Sequence, residues 1–174
     1  MSLSSWQSFY VMLGSSAAAL IGLQFVVIAL VANTRKIASE ATIHAFATPT
    51  VAHLGSALVI SAIMSAPWPS LVPVTVALVA SGLGGLAYAA IVIRRVRRQS
   101  GYEPDWEDWW WYAVVPCSFH VALAVAGLTL STTSHAPLFV VGGAALGLLL
   151  LGIRNSWDSI TYIVALAADS NAQP

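Results

Sequence analysis

The chain has 174 residues, of which 58% are hydrophobic and only 8% are charged, whereas a soluble domain carries about 25% charged residues. Seven basic and seven acidic residues give a formal net charge of zero, so the overall charge gives no reason to expect a nucleic-acid partner. The single cysteine, Cys117, excludes an internal disulfide and a thiolate metal cluster built from one chain. This composition indicates an integral membrane protein.

Five segments free of Asp, Glu, Lys and Arg are long enough to cross a lipid bilayer as α-helices, which takes about 17 to 25 mostly apolar residues. They cover residues 9–32, 49–66, 71–93, 112–130 and 137–153. The second and fifth are close to the minimum length, so four spans and one re-entrant segment form the alternative. The sequence predicts an all-α transmembrane helix bundle of about five spans, with residues 1–168 as one domain and residues 169–174 as a short polar tail.

The connections between the spans predict the topology. The turn at residues 67–70 and the polar break at residues 131–137 carry no formal charge. All seven basic residues follow the first, third or fifth span: Arg35, Lys36, Arg94, Arg95, Arg97, Arg98 and Arg154. Because short loops rich in Lys and Arg stay in the cytoplasm, we expect the N-terminus outside and the C-terminus inside a bacterial inner membrane. The first ten residues contain no Lys or Arg, so the first apolar segment is expected to be a retained span rather than a signal peptide.

Small residues recur along the predicted spans and indicate close helix contacts. They are Gly14, Ala18 and Gly22, spaced four apart on the first span, Gly82, Gly84 and Gly85 on the third, and Gly143 and Gly147, a GxxxG, on the fifth. Such stripes favour packing, within the bundle or between copies of the chain, over a place in a pore lining. They predict a homo-oligomer without identifying which helices meet.

Four polar side chains lie within the predicted spans: Gln24, His53, Tyr88 and His120. Polar groups at membrane depth are costly and generally face the bundle interior or a water-filled cavity. His120 shares a helix stripe with Pro116, which leaves one backbone carbonyl of the preceding turn without its usual donor. This arrangement predicts a kink near His120.

His53 and His120 admit several interpretations. The plainest is a pair of neutral core histidines, each hydrogen-bonded to a backbone carbonyl or a hydroxyl. Alternatively, two histidines on separate helices can ligate haem, bind a metal ion or relay a proton near neutral pH. Their different depths argue against shared ligation, and no further ligand stands beside them unless Cys117 or Asp158 turns inward. The sequence assigns no cofactor and leaves these two histidines as the candidate metal ligands.

The densest polar cluster follows the fifth span, at Arg154, Asn155 and Asp158. Arg154 and Asp158 are four residues apart and can pair on one helix face. The cluster is either a snorkelling arginine with its counter-ion at the membrane boundary or the inner mouth of a polar path lined by the polar residues of the spans.

Residues 102–112, YEPDWEDWWWY, place four tryptophans beside four acidic residues. The tryptophans are Trp106, Trp109, Trp110 and Trp111. Their simplest interpretation is an aromatic belt at headgroup depth leading into the fourth span. The alternative is a docking site for a partner protein or a basic ligand.

Three stretches together resemble small multi-span membrane proteins of bacterial genomes. They are WQSFYVMLGSSAAALIGLQFVVIAL at residues 6–30, PWPS at residues 67–70 and GIRNSWDSITY at residues 152–162. The resemblance covers most of the chain by pattern and implies no particular activity.

Missing motifs narrow the function classes. The sequence has no HExxH, GxSxG, Walker loop, Rossmann fingerprint or CxxC, which disfavours the enzyme classes built on them. The short extramembrane parts and the polar groups within the bundle favour a homo-oligomeric ion channel or small-solute conduit. The alternatives are an accessory subunit that docks a membrane-protein partner through the acidic tryptophan segment, and a haem or metal redox protein.

Overall fold

The computed structural model describes residues 3–33, 40–98, 106–130 and 134–172, and this part of the chain is helical throughout, apart from short turns, with no strand. Its elements are a 3₁₀ turn Leu3–Trp6, α1 Gln7–Asn33, α2 Glu40–Ser65, α3 Leu71–Arg98, the short α4 Trp106–Trp109, a π-helical turn Trp110–Val114, α5 Val115–Leu128 and α6 Ala136–Ala172. The predicted all-α fold class is therefore confirmed.

Four helical stretches are long and apolar enough to cross a membrane, as expected of a membrane protein. They are Leu3–Ala29, Leu71–Arg94, Trp110–Leu128 and Ala136–Thr161. The corresponding apolar part of α2, Thr50–Ser65, is shorter, in line with the near-minimal length of the predicted second span. The number of spans and the orientation of the termini stay predictions.

Prolines and a tryptophan define the turns between helices. α2 ends at Ser65, and Trp68, in the proline-flanked turn that follows, donates from Nε1 to the carbonyl of Ile63 at 2.6 Å. α6 begins at Ala136 with Pro137 in its first turn, where the missing N–H of proline has no helical partner to lose.

The helix type changes just before Pro116, and the kink predicted near His120 stays a prediction. Trp110–Val114 is a π-helical turn, and the N–H of Val115 bonds to the carbonyl of Trp110. Pro116 lies in the first turn of α5 and has no N–H to donate. One α-helical hydrogen bond is therefore missing here whatever the helix type, and a π-helical turn gives up few further hydrogen bonds. α4, the π-helical turn and α5 form one continuous helix with a local widening just before His120.

α2, α6, α5 and α3 pack around a common core in that order, and α3 closes the ring by a less extensive contact with α2. α1 lies outside this ring against α2 and α6. Lipid tails are as apolar as the core of such a bundle, so close dispersion contacts rather than the hydrophobic effect hold the helices together.

The first and last helices run in the same direction. Trp6 packs over Gly142 near the start of α6, whereas the hydroxyl of Ser156 donates to Gln24 Oε1 further along both helices, at 3.2 Å. α1 and α6 therefore begin at the same end of the bundle, here called the N-terminal end. The opposite end, here called the arginine end, carries Arg94, Arg97 and Arg154.

Buried polar side chains are distributed unevenly along the bundle. In the described part of the chain they are Gln24, Thr50, His53, Ser61, His120, Asn155 and Ser159. Of these, Ser61 lies in the half toward the N-terminal end, where the buried residues are otherwise apolar or aromatic: Tyr10, Leu13, Ala17, Met64, Val74, Leu78, Leu138 and Val141 are examples. The described core of one chain thus has no continuous column of polar side chains from end to end.

Some of the predicted small residues permit close packing inside the chain. A Cβ on Gly14 would lie 3.0 Å from the Cβ of Ser61 on α2. A Cβ on Gly147 would collide with the ring of Phe119 on α5. Both glycines therefore allow a neighbouring helix to approach α1 or α6.

The other small residues of these stripes lie on the surface of the bundle. Ala18, Gly22 and Gly143 are exposed, and a Cβ on either glycine would meet no atom within 4 Å. Their contact with a second copy of the chain stays a prediction.

α6 continues beyond the predicted end of the fifth span at residue 153. Its 37 residues correspond to a length of about 55 Å, which exceeds the thickness of the hydrocarbon layer. The helix carries the polar cluster of Arg154, Asn155 and Asp158 and includes residues 169–172 of the predicted polar tail. Residues 173 and 174 lie outside the described residues.

Candidate functional site

A cleft with a volume of about 260 Å³ lies between α2, α3 and α5. Its lining residues are Ala52, Gly55, Ser56, Val59 and Ile60 of α2, Ser81 of α3, and His120 and Leu123 of α5. None of them is Asp, Glu, Lys or Arg. Val59 is 49% exposed, so the cleft opens to the outside of the bundle, at the less extensive contact between α2 and α3.

His120 is the most polar group of the cleft, and glycines of α3 determine its position. A Cβ on Gly82 would lie 2.8 Å from the backbone oxygen of His120, and one on Gly85 would collide with the imidazole. The atoms nearest to Gly85 are Cγ, Nδ1 and Cε1. This edge of the ring therefore faces α3, and the edge that carries Nε2 points away from it.

The Nδ1 atom of His120 has no hydrogen-bond partner among the described groups, although it is fully buried. The whole side chain is only 3% exposed. Buried polar atoms are nearly always paired, so Nδ1 is not the nitrogen that makes the hydrogen bond predicted for a core histidine.

Two serines supply the remaining polar side chains of the cleft. Ser56 Oγ donates to the carbonyl of Ala52 at 2.9 Å, and Ser81 Oγ donates to the carbonyl of Ala77 at 2.8 Å. Both hydroxyl protons are therefore used within their own helices. The oxygen lone pairs of the two hydroxyls remain able to accept a hydrogen bond.

His53 lies on α2 near the cleft and is buried. Both imidazoles are buried, on α2 and α5. No group of three or more His, Cys, Asp or Glu side chains is gathered within the described residues. Metal binding by these two histidines stays a prediction.

A second group of buried polar side chains lies nearer the arginine end, on α1 and α6. Gln24 accepts the hydrogen bond from Ser156, and Ser159 Oγ donates to the backbone carbonyl of Asn155 at 2.8 Å. The amide of Asn155 is fully buried, and neither its Oδ1 nor its Nδ2 has a partner among the described groups. Gln24 therefore joins two helices here, separate from the residues that line the cleft.

The charged residues of the predicted cluster form an ion pair. Arg154 and Asp158 pair at 2.8 Å on the same face of α6. The guanidinium of Arg154 also lies 4.2 Å from the ring centre of Trp111, and that of Arg97 lies 5.5 Å from the ring centre of Trp109. These cation–π contacts tie the middle of α6 and the end of α3 to the segment that enters α5.

The remaining tryptophans of the acidic segment point outward. Trp106 and Trp110 are exposed and lie 6.2 Å apart between ring centres. This arrangement suits an aromatic belt at headgroup depth. Docking of a partner at these rings stays a prediction.

Sequence reasoning named His120 but not the cleft that it lines. Gly55, Ser56 and Ser81 were missed because small residues in a membrane helix do not indicate which neighbour they face. The glycines of α3 were noted for packing, and Gly82 and Gly85 do pack against α5. Tyr88, also predicted as part of a polar path, lies on the same helix with its hydroxyl enclosed and is not a cleft-lining residue.

Comparisons of the chain with protein-family models, with curated proteins and with solved structures find no match.

Proposed function

We propose that this protein binds a small lipid-soluble molecule in the cleft between α2, α3 and α5. One observation carries the proposal: a buried imidazole with an unpaired nitrogen, that of His120, lines a cleft that is otherwise nearly apolar and is open at Val59. Ligand sites are typically apolar cavities with a few well-placed polar groups.

The proposed site is reached from the bilayer rather than from water. Ser81 and His120 belong to the apolar stretches Leu71–Arg94 and Trp110–Leu128, each long enough to cross a membrane. Lipid is then the medium outside the rim at Val59. A molecule that partitions into the bilayer can enter the cleft by sideways diffusion.

The topology proposed for this function has five spans in a bacterial inner membrane, with the N-terminus outside. The parallel directions of α1 and α6 support an odd number of crossings between them, so that α2 crosses together with α3 and α5. The arginine end then faces the cytoplasm, in agreement with the positive-inside rule.

Photolabelling in vesicles of bacterial lipid tests the binding function. The probe is a dodecyl methyl ketone with a diazirine in its chain, and labelled peptides are identified by mass spectrometry. We expect labelling to concentrate on the α2 and α3 peptides that form the cleft rim.

Two glycine variants provide the control. Gly55 lines the cleft, and a Cβ there meets no atom within 4 Å, so Gly55→Leu should direct its side chain into the cleft. Gly84 on α3 is exposed, equally unobstructed and not part of the cleft lining. Gly55→Leu should remove the concentrated labelling and Gly84→Leu should retain it. Uniform labelling of all lipid-facing helices, unchanged by Gly55→Leu, would contradict the proposal.

A homo-oligomeric conduit is the second candidate, favoured by the exposed small residues Ala18, Gly22 and Gly143. Because the buried core toward the N-terminal end is mostly apolar, its path would run between copies of the chain. Purified protein in liposomes should then conduct potassium, sodium or chloride, and Ala18→Leu should reduce both assembly and flux. Absence of flux from an intact oligomer would remove this candidate.

A further inference from the structure

We infer that the ligand of the α2–α3–α5 cleft is a neutral lipid-soluble molecule whose head group accepts a hydrogen bond through a carbonyl or hydroxyl oxygen. The inference rests on the proposed binding function and deepens it, since it specifies the chemistry of the ligand from the polar groups that the cleft has left unused.

The environment of His120 determines which of its nitrogens carries the proton. Nδ1 is buried against Gly85 without a partner. A neutral imidazole has one donor and one acceptor nitrogen, and an orphaned buried N–H is rarer in proteins than an under-satisfied acceptor. The favoured tautomer therefore leaves Nδ1 unprotonated and places the proton on Nε2, on the edge of the ring that points away from α3.

In this tautomer the donor of His120 lies on the edge of the ring away from Gly85, and a cleft ligand that reaches it must supply an acceptor. A hydroxyl or carbonyl oxygen in the head group meets this requirement. The hydroxyl protons of Ser56 and Ser81 are already donated to their own helices, so these serines cannot replace His120 as donors. Their lone pairs can accept from a hydroxyl on the same head group.

The absence of charge in the cleft lining sets the charge of the ligand. No Asp, Glu, Lys or Arg is among the lining residues. A cationic or anionic head would be buried there without a counter-ion, which is strongly unfavourable. The tail of the ligand can pass the open rim at Val59 and remain in the lipid.

A series of competitors with one dodecyl chain and different heads tests this inference. Dodecyl methyl ketone, dodecanol, dodecylamine and dodecane compete against the photolabel on the unaltered protein. We expect the ketone and the alcohol to compete about tenfold more strongly than dodecane, the effect of one hydrogen bond in a buried site. The charged amine should compete no better than dodecane.

Replacement of His120 then assigns the effect to its imidazole. His120→Phe retains a ring against Gly85 and removes the donor, so the ketone should lose its advantage over dodecane. His120→Gln retains a donor and should keep part of that advantage. Thermal unfolding in detergent verifies that each variant is folded, and the competitor series on the unaltered protein tests the ligand class even if neither variant folds.

The outcomes separate this inference from the binding function on which it rests. Equal competition by all four compounds, with labelling still lost in Gly55→Leu, would overturn the ligand class and leave the binding function intact. Preferential competition by dodecylamine would overturn the neutral head. Failure of every compound to compete, with labelling unaffected by Gly55→Leu, would overturn the binding function itself.

Discussion

The imidazole of His120 occupies the space that a side chain at position 85 would fill, so that Gly85 on α3 and His120 on α5 fit together only because one of them is glycine. This contact holds the imidazole with its Nδ1 edge against α3. It also allows α3 and α5 to approach each other closely on the side of the cleft that faces α2.

We expect Gly85→Ala to destabilise the protein by roughly 1–3 kcal/mol, the usual cost of overpacking a core, because the added methyl group collides with the His120 ring. Gly84→Ala is the matched control, since a Cβ at position 84 meets no atom within 4 Å. Unfolding in mixed micelles with increasing sodium dodecyl sulfate measures both. Equal stability of the two variants would show that His120 does not pack against Gly85.

Leucine substitutions at Gly14 and Ala18 should have different effects on folding stability and on assembly. Gly14→Leu is expected to destabilise the folded chain, because a Cβ at this position already lies 3.0 Å from Ser61. Ala18→Leu should leave the fold of a single chain unchanged, since Ala18 is exposed, and should reduce assembly if copies meet there. Thermal unfolding reports on the fold, and light scattering in detergent reports on the oligomer. Similar unfolding of both variants would place Ala18 inside the bundle.

Replacement of Asn155, whose amide is unpaired, should raise the stability of the protein, whereas Gly85→Ala and Gly14→Leu should lower it. A buried polar group without a partner costs about 1–3 kcal/mol, so Asn155→Leu should stabilise the protein by an amount at the lower end of this range. Gln24→Leu is the control and should destabilise it, because the bond from Ser156 is lost. A loss of stability in Asn155→Leu would indicate that an internal water molecule or a ligand satisfies the amide.

The topology can be tested by cysteine labelling in a Cys117→Ala background. An impermeant maleimide added to intact cells should label Ser134→Cys, which precedes α6 at the N-terminal end, and should not label Ser100→Cys in the arginine-rich connection. The reason is the positive-inside rule. Labelling of Ser100→Cys alone would reverse the orientation, and labelling of both would contradict five spans.

The sequence by itself determined the apolar helices, although α2 begins before its predicted span and α6 ends well after its own. A lack of charge over about 20 residues is enough to indicate a membrane helix, and prolines at 67, 69, 116 and 137 interrupt or modify helices for covalent reasons that do not depend on tertiary contacts. The pairing of Arg154 with Asp158 also followed from spacing alone. These features are local, so a linear pattern contains them.

Only the tertiary structure decided which helix faces meet. In a soluble bundle the alternation of polar and apolar residues indicates the buried face of each helix, but in a membrane both lipid-facing and protein-facing positions are apolar. The sequence therefore could not distinguish Gly147, packed under Phe119, from Gly143 on the surface. For the same reason it could not bring Ser56, Ser81 and His120 together around one cleft: each depends on the rotation of its helix, and that rotation is set by dispersion contacts between side chains far apart in the chain.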